Sequence, residues 1–336
     1  MAIVQRVKSK LRRESIHLYR DIRHSIGMDN GFYRQAKGSR ILIYHGICQS
    51  NHTKFNPIFL TAKTFEQHLQ YYKRYFNVVT LDDYYNQKFS PDKFNICITF
   101  DDGFANNYKY VLPLLEKYQL PATFFITAIR HAGYDILWND FLSIVSKYGP
   151  TRISYKNEDF AKDKLGRYYS LNSGIKLADM LKKTGFNAKI EMMETLYPLV
   201  PFKNNTKDKD YWLQMTAEQI KSLSTSPYAT IGAHGYYHND MAHINLTDSI
   251  TEIILCKTYL ENITQKTIRS FAFPYGSYTP QLVDAAKSAG YNQLLAMDFL
   301  FEQDANDAVM RERFTVNPFL SANNQMYATI NRRYEQ

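Results

Sequence analysis

Cysteine is scarce: Cys48, Cys97 and Cys256 are the only three in 336 residues, scattered and without a CxxC pair. That spacing points to neither a disulfide framework nor a thiolate zinc site, and it suits a reducing compartment. Long apolar runs are missing too, since no stretch reaches the roughly 18 apolar residues of a membrane span. The N-terminus lacks the continuous apolar core of a signal peptide, so the chain is expected in the cytoplasm, held at most peripherally on the inner face of the cell membrane. Histidine is thin, and none falls between Trp138 and Ser226.

What is present is a substantial core and a lopsided charge. A hydrophobic fraction of 45% excludes a mostly disordered chain, and the 27 Tyr and 21 Phe suit ordinary packing. Of the net +9, residues 1–40 hold ten Lys or Arg against Glu14, Asp21 and Asp29, a net of +7. A nucleic-acid enzyme lines its site with such charge, whereas here it belongs to an appendage, so no nucleic-acid partner is expected. Val4, Val7, Leu11, Leu18, Ile22 and Ile26 recur at helical spacings between the basic residues. Residues 3–26 therefore read as an amphipathic helix, able to dock on the body of the protein or to lie on an anionic membrane.

Four apolar runs end on chemistry. ICITFDDGF (96–104) stops on Asp101, Asp102 and Gly103. Its β-branched residues read as a buried strand with both acids at the carboxyl end. Adjacent carboxylates repel, and a cation that binds one leaves the other free to take a proton. Turn chemistry alone would give the same letters, so the other strand ends matter. SRILIYHGI (39–47) ends on His45. YATIGAH (228–234) continues into HGYYH, where a helical turn would put His234 and His238 on one face, close enough to grip one ion. IRSFAFPYG (268–276) ends on Pro274, Tyr275 and Gly276, a stiff turn able to aim an N–H into a cleft. Helical periods over 63–76, 104–118 and 280–289, with strands at VVTL (78–81), PATFFIT (121–127), 294–297 and 314–316, alternate β with α. That alternation implies a largely parallel sheet or barrel. Residues from about 138 to 226 read as a helical insertion bordering the site, with Trp138 and Asp140 at its entrance.

TFDDGF (99–104), HGYYH (234–238) and FAFPYG (271–276) together resemble the three motifs of the polysaccharide deacetylase family, carbohydrate esterase family 4 or NodB homology domain, the last in its FPYG variant. The resemblance runs from about Ile41 to Val316 and takes in IYHGI, TFEQHL, LPATFFI and the helix around Glu252. It implies an α/β fold, a distorted (β/α)7-type barrel with its site at the strand carboxyl ends. By the same resemblance Asp101 is the general base, while Asp102, His234 and His238 bind one divalent ion, zinc or another divalent metal. The Tyr275 backbone N–H supports the oxyanion. FAFPYG lacks the Arg that commonly orients the base, and Arg313 of RERFTV resembles the later Arg that serves instead. The last histidine is His243, so no general-acid His lies near the C-terminus; His45 resembles the N-terminal one that replaces it.

The expected organisation is a basic helix and linker over 1–38, a catalytic domain over 39–320 and a tail over 321–336. The expected activity is removal of an N-acetyl group from an amino sugar in a glycan or its precursor. Two rivals are a deformylase or amidase on a related N-acyl substrate, and an inactive glycan-binding barrel.

Overall fold

The protein is described by a computed structural model covering residues 2–204, 206–332 and 334, with the side chains of 2–4, 6, 206 and 207 outside the description. Val4 and Arg6 of the basic helix, and residues 333, 335 and 336 of the expected tail, fall outside in this sense.

Strands β1 (Ser39–Tyr44), β2 (Ile47–Cys48), β3 (Leu60–Thr61), β4 (Phe76–Val78), β5 (Phe94–Phe100) and β6 (Ala122–Ile126) come first in the chain. Then β7 (Arg152–Tyr155), β8 (Glu158–Lys162) and β9 (Tyr168–Ser170) form an antiparallel sheet of their own. Strands β10 (Ala229–Ala233), β11 (Ser270–Ala272), β12 (Gln293–Ala296), β13 (Met310–Glu312) and β14 (Phe314–Thr315) complete the set. The main sheet runs β13-β12-β11-β10-β6-β5-β1-β14, with β4 on the first half of β5, and every pairing in it is parallel.

Its two edge strands, β13 and β14, are separated in the chain by Arg313 alone. The backbone of one residue thus joins the two edges of the sheet, and β13 with β14 counts as one interrupted strand. That gives seven positions around a nearly closed (β/α) barrel.

All seven residues of β5 are buried, because one face meets the barrel interior and the other the surrounding helices. Cys97 packs inside with Ile41, Phe125, Ala272 and Leu295, whereas Ile96, Ile98 and Phe100 join the larger core under the helices. The inward face of β5 therefore reads Cys97, Thr99 and then, past the strand end, Asp101. The floor of the barrel is apolar and its mouth is not. All three cysteines are buried and free.

Several local expectations shift. The strand expected at 78–81 lies at Phe76–Val78, because the Thr80 hydroxyl accepts the Asp83 N–H at 3.0 Å and caps a short helix at Leu81–Tyr85. Strand β13, Met-Arg-Glu, escapes periodicity because two of its three residues are charged. The insertion is not purely helical: β7 to β9 interrupt it. The stretch read as linker holds a short helix, Asn30–Gln35. The stretch read as a tail carries a helix, Ala322–Asn331, whose buried side chains include Asn323, Asn324 and Gln325; polar letters hid its inward face.

Candidate active site

Asp101 follows β5 on the inward face, and its backbone N–H donates to the Tyr44 carbonyl of β1 at 2.9 Å. Arg313, at the barrel seam, reaches across to it: Nη1 donates to Asp101 Oδ1 at 2.7 Å and Nη2 to Oδ2 at 2.8 Å. Nη1 also donates to Thr99 Oγ1 at 3.3 Å, and that hydroxyl donates to the Leu42 carbonyl at 2.7 Å. Both partners of the fork are buried. Burial pushes the Asp101 carboxyl up, but Arg313 and His234 outweigh it and hold the group below the ordinary carboxylate value. Asp101 is therefore ionised and fixed.

Arg313→Met strands that carboxylate in the barrel mouth, and breaking a buried pair costs about 3–5 kcal/mol. Urea unfolding at neutral pH is expected to show the loss. Because the folded Asp101 pKa is depressed, the pair stabilises above the unfolded value of about 3.9 and is lost as pH falls through the folded one. The gap between wild type and Arg313→Met should accordingly be widest at neutral pH and narrow as the solution is acidified, since the stranded Asp101 carboxyl of the variant also takes up a proton there; a gap that widens in acid would refute the pairing.

Asp102 turns the other way. It takes a left-handed backbone, φ 76°, followed by Gly103 at φ 81°, where an added Cβ would meet Ile126 Cγ2 at 2.9 Å. The Asp102 Oδ1 atom lies 3.1 Å from His238 Nε2 and 3.4 Å from His234 Nε2, and all three side chains are buried. The three donor atoms fall within 4.8 Å of one another. A tetrahedral ion with bonds of about 2.0–2.1 Å sets its ligand atoms about 3.3 Å apart, so both separations suit a divalent ion. His234 Nδ1 donates to the Ala272 carbonyl at 2.7 Å, which fixes the ring with Nε2 aimed at Asp102, the nitrogen that would bind an ion on losing its proton. Burial opposes charge on Asp102, yet the His238 and His234 imidazoles hold it well below the carboxylate range.

His234 and His238 do meet, with ring centroids 5.1 Å apart, but not on a helical turn. Residues 234–238 form an irregular bend, with Gly235 at φ 77° and His238 at φ 57°. Its shape is imposed from outside: the buried Glu252 carboxylate accepts the Tyr237 N–H at 2.9 Å and the Asn239 amide at 2.6 Å, and the Trp138 indole donates to the His238 carbonyl at 3.3 Å. Tyr275, also left-handed at φ 59°, lays its ring 4.7 Å from that of His238. Asp102, His238 and Tyr275 are thus three non-glycine residues in a disfavoured conformation at one place, held there by the surrounding packing.

His45, half-buried past β1, faces the same mouth: burial pushes its imidazole down, Asp102 and Asp101 pull it up, and the net is downward. Its carbonyl accepts from the Asn107 amide at 2.9 Å. All seven residues singled out in the sequence, Asp101, Asp102, His45, His234, His238, Tyr275 and Arg313, therefore converge on the barrel mouth.

Sequence reasoning missed the supports. Asn106 and Asn107, one residue past the Phe of TFDDGF, tie the chain around His45 and Ile47 to this turn, the Asn106 amide oxygen accepting the Ile47 N–H at 3.0 Å. A pair of asparagines at the head of a helical run was the available signal. Asp140 is buried with Oδ2 unpartnered, its carboxyl pushed well above the ordinary range by burial and by Asp102. Among the described residues, Asn56 alone donates to it, to Oδ1 at 3.3 Å.

The polysaccharide deacetylase family model matches residues 88–149 and 176–294. The unmatched residues between them, 150–175, contain the antiparallel β7–β9 sheet. YxkH of Bacillus subtilis is 31% identical over 90 residues, 26% of this chain and 30% of that protein, so the likeness spans well under half of the relative. Among solved structures, the deacetylase PplD of Streptococcus pyogenes, in complex with acetate, superposes with a TM-score of 0.55 at 16% identity, covering 86% of this chain and 97% of that one. IcaB from Ammonifex degensii gives 0.51 at 18%, covering 88% and 98%. At such identities the two structures speak for the fold. The family match, over more than half of the chain and across both the Asp-Asp turn and the His-His bend, makes this protein a member of the polysaccharide deacetylase family.

Proposed function

We propose that the protein is a metal-dependent hydrolase that removes an N-acetyl group from an amino sugar in a glycan or glycan precursor. The observation that carries this reading is an ionised carboxylate, Asp101, clamped by Arg313 beside a buried set of one carboxylate and two imidazoles. Asp102, His234 and His238 would hold the ion, and this donor set suits zinc. Bound there, a divalent ion supplies a Lewis acid for the acyl carbonyl and a water of lowered pKa.

The chain's own residues supply the rest. Asp101 takes the proton of the attacking water, a task that needs the ionised form Arg313 enforces. The Tyr275 backbone N–H, in its left-handed turn, donates to the developing oxyanion. His45 gives a proton to the departing amine. The proton that Asp101 removes from the water balances the one that His45 delivers. His45→Gln is expected to lower kcat by about 10²-fold, the low end of acid–base effects, because solvent reaches this half-buried site. Metal content should not change; kcat within twofold of wild type would remove His45 from the reaction.

The test of the reading is release of acetate from N-acetylated oligosaccharides by the metal-loaded protein, with its metal content measured alongside. Formate release, or cleavage of non-sugar amides alone, would favour a deformylase or amidase. Binding of the oligosaccharide with full metal and no release would mark an inactive glycan-binding barrel, against which the intact Asp101, Asp102, His234 and His238 set argues.

A further inference from the structure

The N-terminal helix, Ala2–Ser25, sits on the barrel the wrong way round for a helix stabilised by its apolar stripe. Its polar side docks. Asp21 Oδ1 accepts from Ser321 Oγ at 2.8 Å and from the Asn323 and Asn324 amides at 3.1 and 2.9 Å. The Asn324 amide also donates to the His17 carbonyl at 3.1 Å. The Arg20 guanidinium lies 4.5 Å over the Tyr327 ring, Arg23 pairs with the buried Asp29 at 3.1 Å, and His24 packs against Tyr71. The apolar stripe faces out: Val7, Leu11, Leu18 and Ile22 are 51–62% exposed. An ordinary surface helix turns that stripe toward the core and its charges to water. This one does the reverse.

We propose that this outward stripe seats the protein on the surface of an anionic lipid bilayer, with the helix lying in the plane of the headgroups. At about 100° per residue, Lys8 and Arg12 flank the stripe on one side and Lys10 on the other, all three exposed. They stand at the height where headgroup charges lie once the stripe is immersed. Tyr19, 59% exposed beside the stripe, has the amphipathic ring that membrane interfaces select. A second copy of the chain fits less well. Pairing along the stripe would bring the like charges of Lys8 and Arg12 together, whereas Lys10 is paired with Glu14 at 3.7 Å. A surface of opposite charge turns that repulsion into attraction.

The experiment is cosedimentation of the full chain with vesicles of phosphatidylcholine alone and of phosphatidylcholine containing phosphatidylglycerol. Binding is expected only to the anionic vesicles, and release at roughly 1 M NaCl, where the screening length falls to about 3 Å. Leu11→Glu/Leu18→Glu should reduce partitioning by about tenfold or more, since it replaces two immersed side chains by charges that the lipid repels. Lys8→Glu/Arg12→Glu, at exposed positions away from the docking contacts, should do likewise. Melting temperatures should match wild type. The proposal is overturned if the intact protein ignores anionic vesicles at low salt, or if both variants bind as tightly as wild type. It is equally overturned if sedimentation velocity finds a dimer that Leu11→Glu/Leu18→Glu dissociates, because the stripe then belongs to a second copy.

Discussion

Asp101→Asn is expected to lower turnover by about 10²–10⁴-fold, the usual worth of a general base, with metal content unchanged. The amide is nearly isosteric and keeps an oxygen for one arm of the Arg313 fork, so the side chain should stay in place. It cannot take a proton from water at neutral pH. Two other consequences separate this loss from a structural one. Arg313, buried and without its counter-charge, should lower the unfolding free energy, so activity must be measured well below the melting transition. The Michaelis constant should move little, because Asp101 is asked to act in the transition state and not to grip the substrate. Equal loss of kcat and kcat/KM with intact metal supports the base; near wild-type kcat at saturating metal rejects it.

What the sequence made legible, and what it hid, follows from which interactions are local. Strands β1, β5, β6 and β10 announce themselves because burial on both faces writes a continuous apolar run. The Asp-Asp-Gly turn is readable because the left-handed Asp102 and Gly103 must follow the strand directly. The bend at 234–238 shows the limit. Its two histidines meet, but on a backbone set by Glu252 and Trp138, which lie 14 and 100 residues from His238, and spacing carries no trace of partners so remote. Asp140 reads from the sequence as a residue at the entrance of the insertion and not as a buried acid, because its surroundings come from Asn56 and Asp102. The orientation of the N-terminal helix was equally invisible. Periodicity finds a stripe, and only the docking contacts of Asp21, Arg20 and Arg23 show that the stripe points away.

The strongest test of the proposed ion site is His238→Ala, which is expected to abolish both stoichiometric metal and hydrolysis. His238 Nε2 is one of three donor atoms, and a carboxylate with a single imidazole leaves the ion half-coordinated by protein. The fold should survive. His238 Nδ1 has no hydrogen-bond partner among the described residues, so removing the ring breaks no bond to them on that side, and the bend keeps its anchors through Glu252 to Tyr237 and Asn239. What remains is a cavity beside Tyr275, a cost of the order of 2–4 kcal/mol by analogy with large-to-small core substitutions. Metal-free wild-type protein provides the reference. Asp102, no longer neutralised by an ion, is held down there chiefly by the His238 and His234 imidazoles, and His238→Ala removes the first of them. Added zinc should therefore raise the melting temperature of wild type and leave that of the variant where it is, a readout that does not depend on any substrate. Full metal occupancy in purified His238→Ala, or an equal zinc-induced rise in its melting temperature, would place the ion elsewhere and remove His238 from the site.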